Sequence, residues 1–201
     1  MSVTDESSIS SMASHLHHVY PNTPLRLALA LPGILHVEKS PSQIDATSAL
    51  QSFQVNALGP LLLMKHLAPF LPTKSSSPFE QTRDAFNLPS HAIYAMMAAR
   101  VGSISDNYSG GWYSYRASKA SVFQMAKTFD LHLRTRCRDR ALAVALHPGT
   151  VRTDFTKEYW DGREMLDPDE AAQKLLEVLA AETLMEKRGL CFDWKGEEVK
   201  P

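Results

Sequence analysis

The segment YRASK sets Tyr115 four residues ahead of Lys119, and on a helix that spacing stacks a phenol and an ammonium on one face. A cation beside a phenol favours the phenolate, which lowers the tyrosine pKa toward working pH and suits it to proton transfer. A tyrosine and a lysine so spaced are common and by themselves carry no function, so the neighbouring segments decide. VGSIS, residues 101–105, leaves an apolar run at its C-terminal end, where open α/β sheets place their ligands, and Ser103 there can donate a hydrogen bond to a carbonyl oxygen. Asn56 opens the segment NALGP, in which Pro60 has no N–H and cannot bond the Asn56 carbonyl four residues earlier. A carbonyl freed at a helix kink can hold a water, and that water can pass protons onward; the plainer reading is a tolerated kink. HPGTVRT, residues 147–153, leaves another apolar run and offers turn residues and hydroxyls to a polar ligand.

These groups act together only if a sheet brings them to one edge, and the hydrophobic pattern supplies one. Residues 25–31 (interrupted by Arg26), 92–99 and 141–146 are short, nearly unbroken apolar runs that suit strands buried on both faces, as in parallel sheets. Between them, Leu50, Phe53, Ala57 and Leu61 form one helical stripe, with Asp45 or Thr47 as N-cap. Val122, Ala126, Phe129 and Leu133 form another, after Gly110 and Gly111. A helix over residues 6–17 and one over 168–181 complete the alternation, the latter opened by Asp167 as cap, Pro168 in the first turn and the favourable charge of Glu170. Residues 190–194, closed by Lys195 and Gly196, read as a last short strand. Strand and helix alternate, which predicts a doubly wound α/β sheet with right-handed crossovers. Residues 73–90, with serines, prolines and scattered charges, read as a flexible surface loop in a single domain of residues 1–201.

The composition narrows the function. A chain of 201 residues, 44% hydrophobic, buries one core. Lys+Arg 21 against Asp+Glu 22 leaves a net charge of -1, so no field favours nucleic acid or an anionic membrane, and Arg134, Arg136, Arg138 and Arg140 read as a solvated helix end. Cys137 and Cys191 show no CxxC spacing, which argues against a disulfide framework or a cysteine zinc site and suits a reducing cytosol. His15, His17 and His18 have no carboxylates at ligand spacing and read as a polar helix end. No stretch approaches the ~20 apolar residues of a membrane span, so a soluble, cytoplasmic protein is expected. Ser103 is not in a GxSxG elbow, which argues against a Ser/His hydrolase.

Asn56, Ser103, Tyr115 and Lys119, in this order and context, resemble the tetrad of the short-chain dehydrogenase/reductases. The segments VNALGPLLLMKHLAPFL, ARVGSISDN, GGWYSYRASKA and LHPGTVRT resemble the C-factor-like branch, and the likeness runs from about Val3 to Trp194. The resemblance implies hydride transfer between a nicotinamide cofactor, NADP or NAD, and a small-molecule carbonyl or alcohol. By it, Tyr115 is the general acid/base, and Ser103, with Ser105 as alternative, orients and polarises the substrate oxygen. Lys119 lowers the tyrosine pKa and binds the nicotinamide ribose, while Asn56 anchors the water of a proton relay. Pro148, Gly149, Val151 and Thr153 would line the carboxamide, and residues 154–166, with Tyr159 and Trp160, would cover the pocket over an apolar guest. Helices at about 45–71 and 112–135 would form the interface of a homo-oligomer.

The chain also departs from the family's pattern. Members open with a strand and a turn TGxxxGxG, whose backbone amides hold the pyrophosphate, and this glycine-rich phosphate-binding turn is absent from the sequence. The first glycine is Gly33, in ALPG, where the family usually writes NNAG on the cofactor's adenine side. Val3, Thr4 and Asp5 resemble the end of the family's third strand. The expected fold is therefore a Rossmann-like doubly wound parallel sheet lacking the first two βα units and most of the third strand, with residues 25–31 as an exposed edge. An active oxidoreductase is weighed against a catalytically inactive remnant, an interaction module that dimerises with a full-length relative.

Overall fold

Four strands form one parallel sheet in chain order: β1 (Leu27–Ala30), β2 (Ala92–Met97), β3 (Ala141–His147) and β4 (Cys191–Asp193). The computed structural model describes residues 1–80, 87–159 and 165–201. β2 and β3 are buried on both faces, and side-chain size alternates to allow it. In register, Tyr94 sits beside Ala143 and Met96 beside Ala145, while Ala95 sits beside Val144. A large residue next to a small one lets a helix lie close on either face without a void.

On the face of Ala28, Tyr94 and Ala143 lie α1 (Glu6–Val19), α3 (Gly59–Leu67) and α4 (Tyr113–Cys137), packed through Ile9, Leu63, Val122, Phe129 and Leu133. The Phe129 ring meets Tyr94 edge-on at 5.1 Å. On the opposite face α5 (Pro168–Ala180) covers Ile93, Leu142 and Val144 through Leu175 and Leu179. That cover stops short of β1. Among the described residues β1 pairs with β2 alone, and Leu29 is 44% and Leu31 54% exposed, so the edge lies where the apolar run placed it.

The stripe expected on residues 45–71 faces the other way. Asp45 caps α2 (Ala46–Phe53) by accepting from the Ser48 amide at 2.8 Å, yet Leu50, Phe53 and Leu61 are exposed. The buried side chains are Ser52, Asn56, Pro60 and Leu63. A π-helical turn, Gln54–Leu58, joins α2 to α3, and the two faces run on through it: Leu50 and Phe53 before it and Leu61 after it are all exposed. The stripe of Val122, Ala126, Phe129 and Leu133 on α4 is buried throughout.

Two local expectations are corrected. The arginine run is not simply solvated: Arg136 donates to the carbonyls of Ala68, Pro69 and Leu71 and closes the turn after α3, while Arg134 pairs with Asp130 at 2.8 Å. Asp167 stands at the N-cap of α5, but its carboxylate accepts from Arg152 Nε at 3.1 Å and makes no side-chain cap. Of residues 73–90, 81–86 lie outside the described residues; in the remainder Phe79 packs against the core, with the Arg26 guanidinium 5.5 Å above its ring. That end of the segment is anchored by packing. No helix among the described residues is long and apolar enough to cross a membrane.

Candidate active site

The C-terminal ends of β1, β2 and β3 open into a cavity of about 740 Å³, closed by the first turns of α4, the loop after β3 and α5. Tyr115 and Lys119 stand one turn apart on its wall, 6% and 2% exposed. Gly110, Gly111 and Trp112 all have positive φ, and these three successive left-handed residues turn the chain into α4. Lys119 Nζ reaches across to β2 and donates to the Met97 carbonyl at 2.8 Å, which leaves two ammonium N–H groups for a ligand. A Cβ on Gly33 would stand 3.2 Å from that nitrogen, so glycine keeps the flank of the ammonium open.

Asn56 is fully buried behind this wall. Its Oδ1 accepts from the Ile34 amide at 2.7 Å, and its Nδ2 donates to the Ile34 carbonyl at 2.9 Å and to Ser118 Oγ at 3.0 Å. Ser118 Oγ in turn donates to the Tyr115 carbonyl at 2.8 Å. The side chain therefore bolts the loop after β1 to the helix that carries the tyrosine.

Ser103 lies outside the cavity wall. It follows a short 3-10 turn, Arg100–Gly102, is 2% exposed, and its hydroxyl accepts from the Asp106 amide at 3.1 Å. Ala98 and Ala99 occupy the wall at the end of β2 instead. The turn is pressed against α4, where a Cβ on Gly102 would meet the Lys119 carbonyl carbon at 2.7 Å, and this contact carries the chain past the cavity before Ser103. Ser105 donates to the Pro201 main-chain oxygen at 2.6 Å.

Pro148, Gly149, Val151 and Thr153 all line the cavity. Gly149 has φ 79°, and a Cβ there would stand 2.6 Å from the Trp194 ring, so both backbone and space require glycine. The reading of the sequence missed Trp112 and Phe155, whose rings flank Tyr115 at 6.2 and 6.1 Å. Trp112, next to the tyrosine motif, was a usable signal; Phe155 is brought in by the fold from a distant segment. Phe155 and Thr156 of residues 154–166 line the cavity, whereas Trp160 and the Tyr159 side chain lie outside the described residues. Two wall cations are engaged within the protein: Arg100 by Asp193 at 2.7 Å and Asp106 at 3.4 Å, Arg116 by the carbonyls of Val101, Gly110 and Gly111.

The electrostatics correct one expectation. Burial pushes the Tyr115 phenol above its ordinary value, and burial also pulls the Lys119 ammonium down to about 8. Burial, which disfavours the phenolate, is what sets the direction for Tyr115. A pH dependence of stability follows. Between about 8 and the ordinary 10.5, the unfolded chain still holds the Lys119 proton that the folded chain has lost, so this group's contribution to stability rises with pH across that window. Melting of the unaltered chain against Lys119→Met from pH 7 to 9.5 is expected to show the difference moving in favour of the unaltered chain; a constant difference would contradict the buried ammonium.

No family model matches the chain. It is 28% identical over 174 residues to the 1-hydroxy-2-glutathionyl-2-methyl-3-butene dehydrogenase of a Rhodococcus species, covering 87% of this chain and 67% of that protein. It is 29% identical over 157 residues to the C-signal protein of Myxococcus xanthus, covering 78% and 80% respectively. Among solved structures, an NADPH-bound carbonyl reductase from chicken fatty liver superposes with a TM-score of 0.82 at 25% identity, covering 100% of this chain and 75% of the reductase.

Proposed function

We propose that this chain, similar to a dehydrogenase and to a carbonyl reductase, is a short-chain dehydrogenase/reductase, an NADP-dependent oxidoreductase interconverting a small carbonyl compound and its alcohol. The observation that carries the reading is a buried phenol and a buried ammonium one helical turn apart, facing one cavity at the C-terminal edge of a parallel sheet. The wall fits the nicotinamide and ribose end of such a cofactor, with open space at Gly33, two N–H groups on Lys119 and the loop from Pro148 to Thr153. When bound, the cofactor supplies the hydride. In carbonyl reduction the Tyr115 hydroxyl gives its proton to the oxygen that becomes the alcohol; its raised pKa keeps that proton in place until it is needed. Lys119 binds the ribose hydroxyls and stands one helical turn from the tyrosine on the same cavity wall. A water held at the Asn56 main-chain carbonyl returns a proton to Tyr115. Ser103, buried under Asp106, holds the turn that follows β2.

Two measurements test this reading. NADPH fluorescence on titration with the protein, with NADPH consumption over a panel of aldehydes and ketones, should show saturable binding and turnover. Absence of binding at millimolar cofactor overturns it. Ser103→Ala is expected to lower kcat by less than about tenfold, far below the 10²–10⁴ range of a positioned proton donor. A loss of a hundredfold or more would place the serine at the substrate.

The exposed stripe of Leu50, Phe53, Leu58 and Leu61 along α2, the π turn and α3, with Leu131 on α4, supports association of two copies through these helices. Light scattering should give twice the chain mass, and a monomer at tens of micromolar removes this part of the proposal. Cys137 and Cys191 are both buried and unpaired, which supports a reducing, cytoplasmic setting.

A further inference from the structure

Glu38 is a carboxylate that neither the proton relay nor the cofactor wall uses, yet it is 2% exposed. No lysine or arginine of the described residues lies at ion-pair distance from it. Its Oε2 accepts from the Ser114 amide at 2.7 Å, and its main-chain carbonyl accepts from the Trp112 amide at 2.6 Å. Its Oε1 is buried without a partner. A buried carboxylate without a cation is costly unless backbone amides and a helix N-terminus compensate it, and Glu38 has both. The first turn of α4 has no cap of its own, because Trp112, at the capping position, has a side chain that accepts nothing. Glu38, far away in the chain, takes that place.

The position matters for chemistry. Ser114 immediately precedes Tyr115, and the Trp112 ring stands edge-on to the tyrosine ring. Asn56 fixes the start of the loop after β1 through Ile34, and Glu38 fixes its end at α4. The geometry points to Glu38 as a positioning residue for Tyr115: it caps the tyrosine's helix from outside and sets where the phenol stands in the cavity. This rests on the oxidoreductase reading for its kinetic part only.

The test combines amide exchange with steady-state kinetics on Glu38→Ala, Glu38→Gln and Glu38→Asp. In Glu38→Ala, amides of residues 112–116 should exchange about tenfold faster, the loss of one net hydrogen bond, while the middle of α4 is unchanged. The kcat should fall about 10–100-fold with little change in the KM for cofactor, as expected of a misplaced reacting group. Glu38→Gln keeps an acceptor of the same reach and should retain protection and kcat within about threefold of the unaltered chain. Glu38→Asp, one methylene short, should lose both. If the alanine variant does not fold, the glutamine and aspartate variants decide: aspartate retained and glutamine lost would mean that charge and not reach matters, which overturns the proposal. Unchanged exchange at residues 112–116 in the alanine variant also overturns it, whatever the activity. If the unaltered chain turns over no carbonyl, the functional reading fails, while the exchange result still decides whether Glu38 fixes this turn.

Discussion

Replacing Tyr115 with phenylalanine is expected to lower kcat for carbonyl reduction by about 10²–10⁴-fold, or about 3–5 kcal/mol of transition-state stabilisation. The substitution removes one oxygen and leaves the ring where it is, between Trp112 and Phe155, so the loss measures proton donation and not packing. The KM for NADPH should stay within about threefold, since Lys119 keeps its bond to the Met97 carbonyl and its free N–H groups. Melting should be unchanged or slightly higher, because the removed hydroxyl is held in a desolvated place. A variant that keeps more than about a tenth of the activity would mean that another group donates the proton, and Tyr115 would lose its role.

The second large effect is on stability. Asn56→Ala removes three hydrogen bonds at once and strands both the amide and the carbonyl of Ile34. At roughly 1 kcal/mol for each bond, the expected loss is about 3 kcal/mol. For a chain of this size that lowers Tm by roughly 6–12 °C. Because Ser118 passes the constraint to the Tyr115 carbonyl, kcat should fall as well. Thermal unfolding followed by circular dichroism checks the first part. A shift of less than about 2 °C would show that the loop after β1 is held by something other than Asn56.

Much of the fold was legible in the sequence because burial on both faces of a parallel sheet leaves runs that little else produces. Residues 92–99 and 141–146 were such runs, and they are β2 and β3. The stripe on α4 was equally plain, since its 25 residues wind regularly and one face meets the sheet. The stripe at Leu50 misled for a physical reason: Leu50, Phe53 and Leu61 form a continuous exposed face, and the inward face is built from Ser52, Asn56 and Pro60, which do not stand out as apolar. The cavity wall was partly legible. Tyr115 and Lys119 announce themselves by spacing within one helix, whereas the place of Ser103 depends on how the turn Arg100–Gly102 abuts α4. Glu38 gave no signal, because a carboxylate that serves a helix more than seventy residues away looks like any surface glutamate until the chain is folded.

Every strand of the sheet runs the same way, so their C-terminal ends are level and share one rim. Among the described residues Leu27–Ala30 pairs on one side alone, and its other side carries that geometry outward. A strand joining it in the same sense would finish near Ala30, and the loop it carried would arrive beside Gly33 and the Lys119 ammonium. The open flank of the sheet and the mouth of the cavity are thus one address: whatever lengthens the first lends residues to the second.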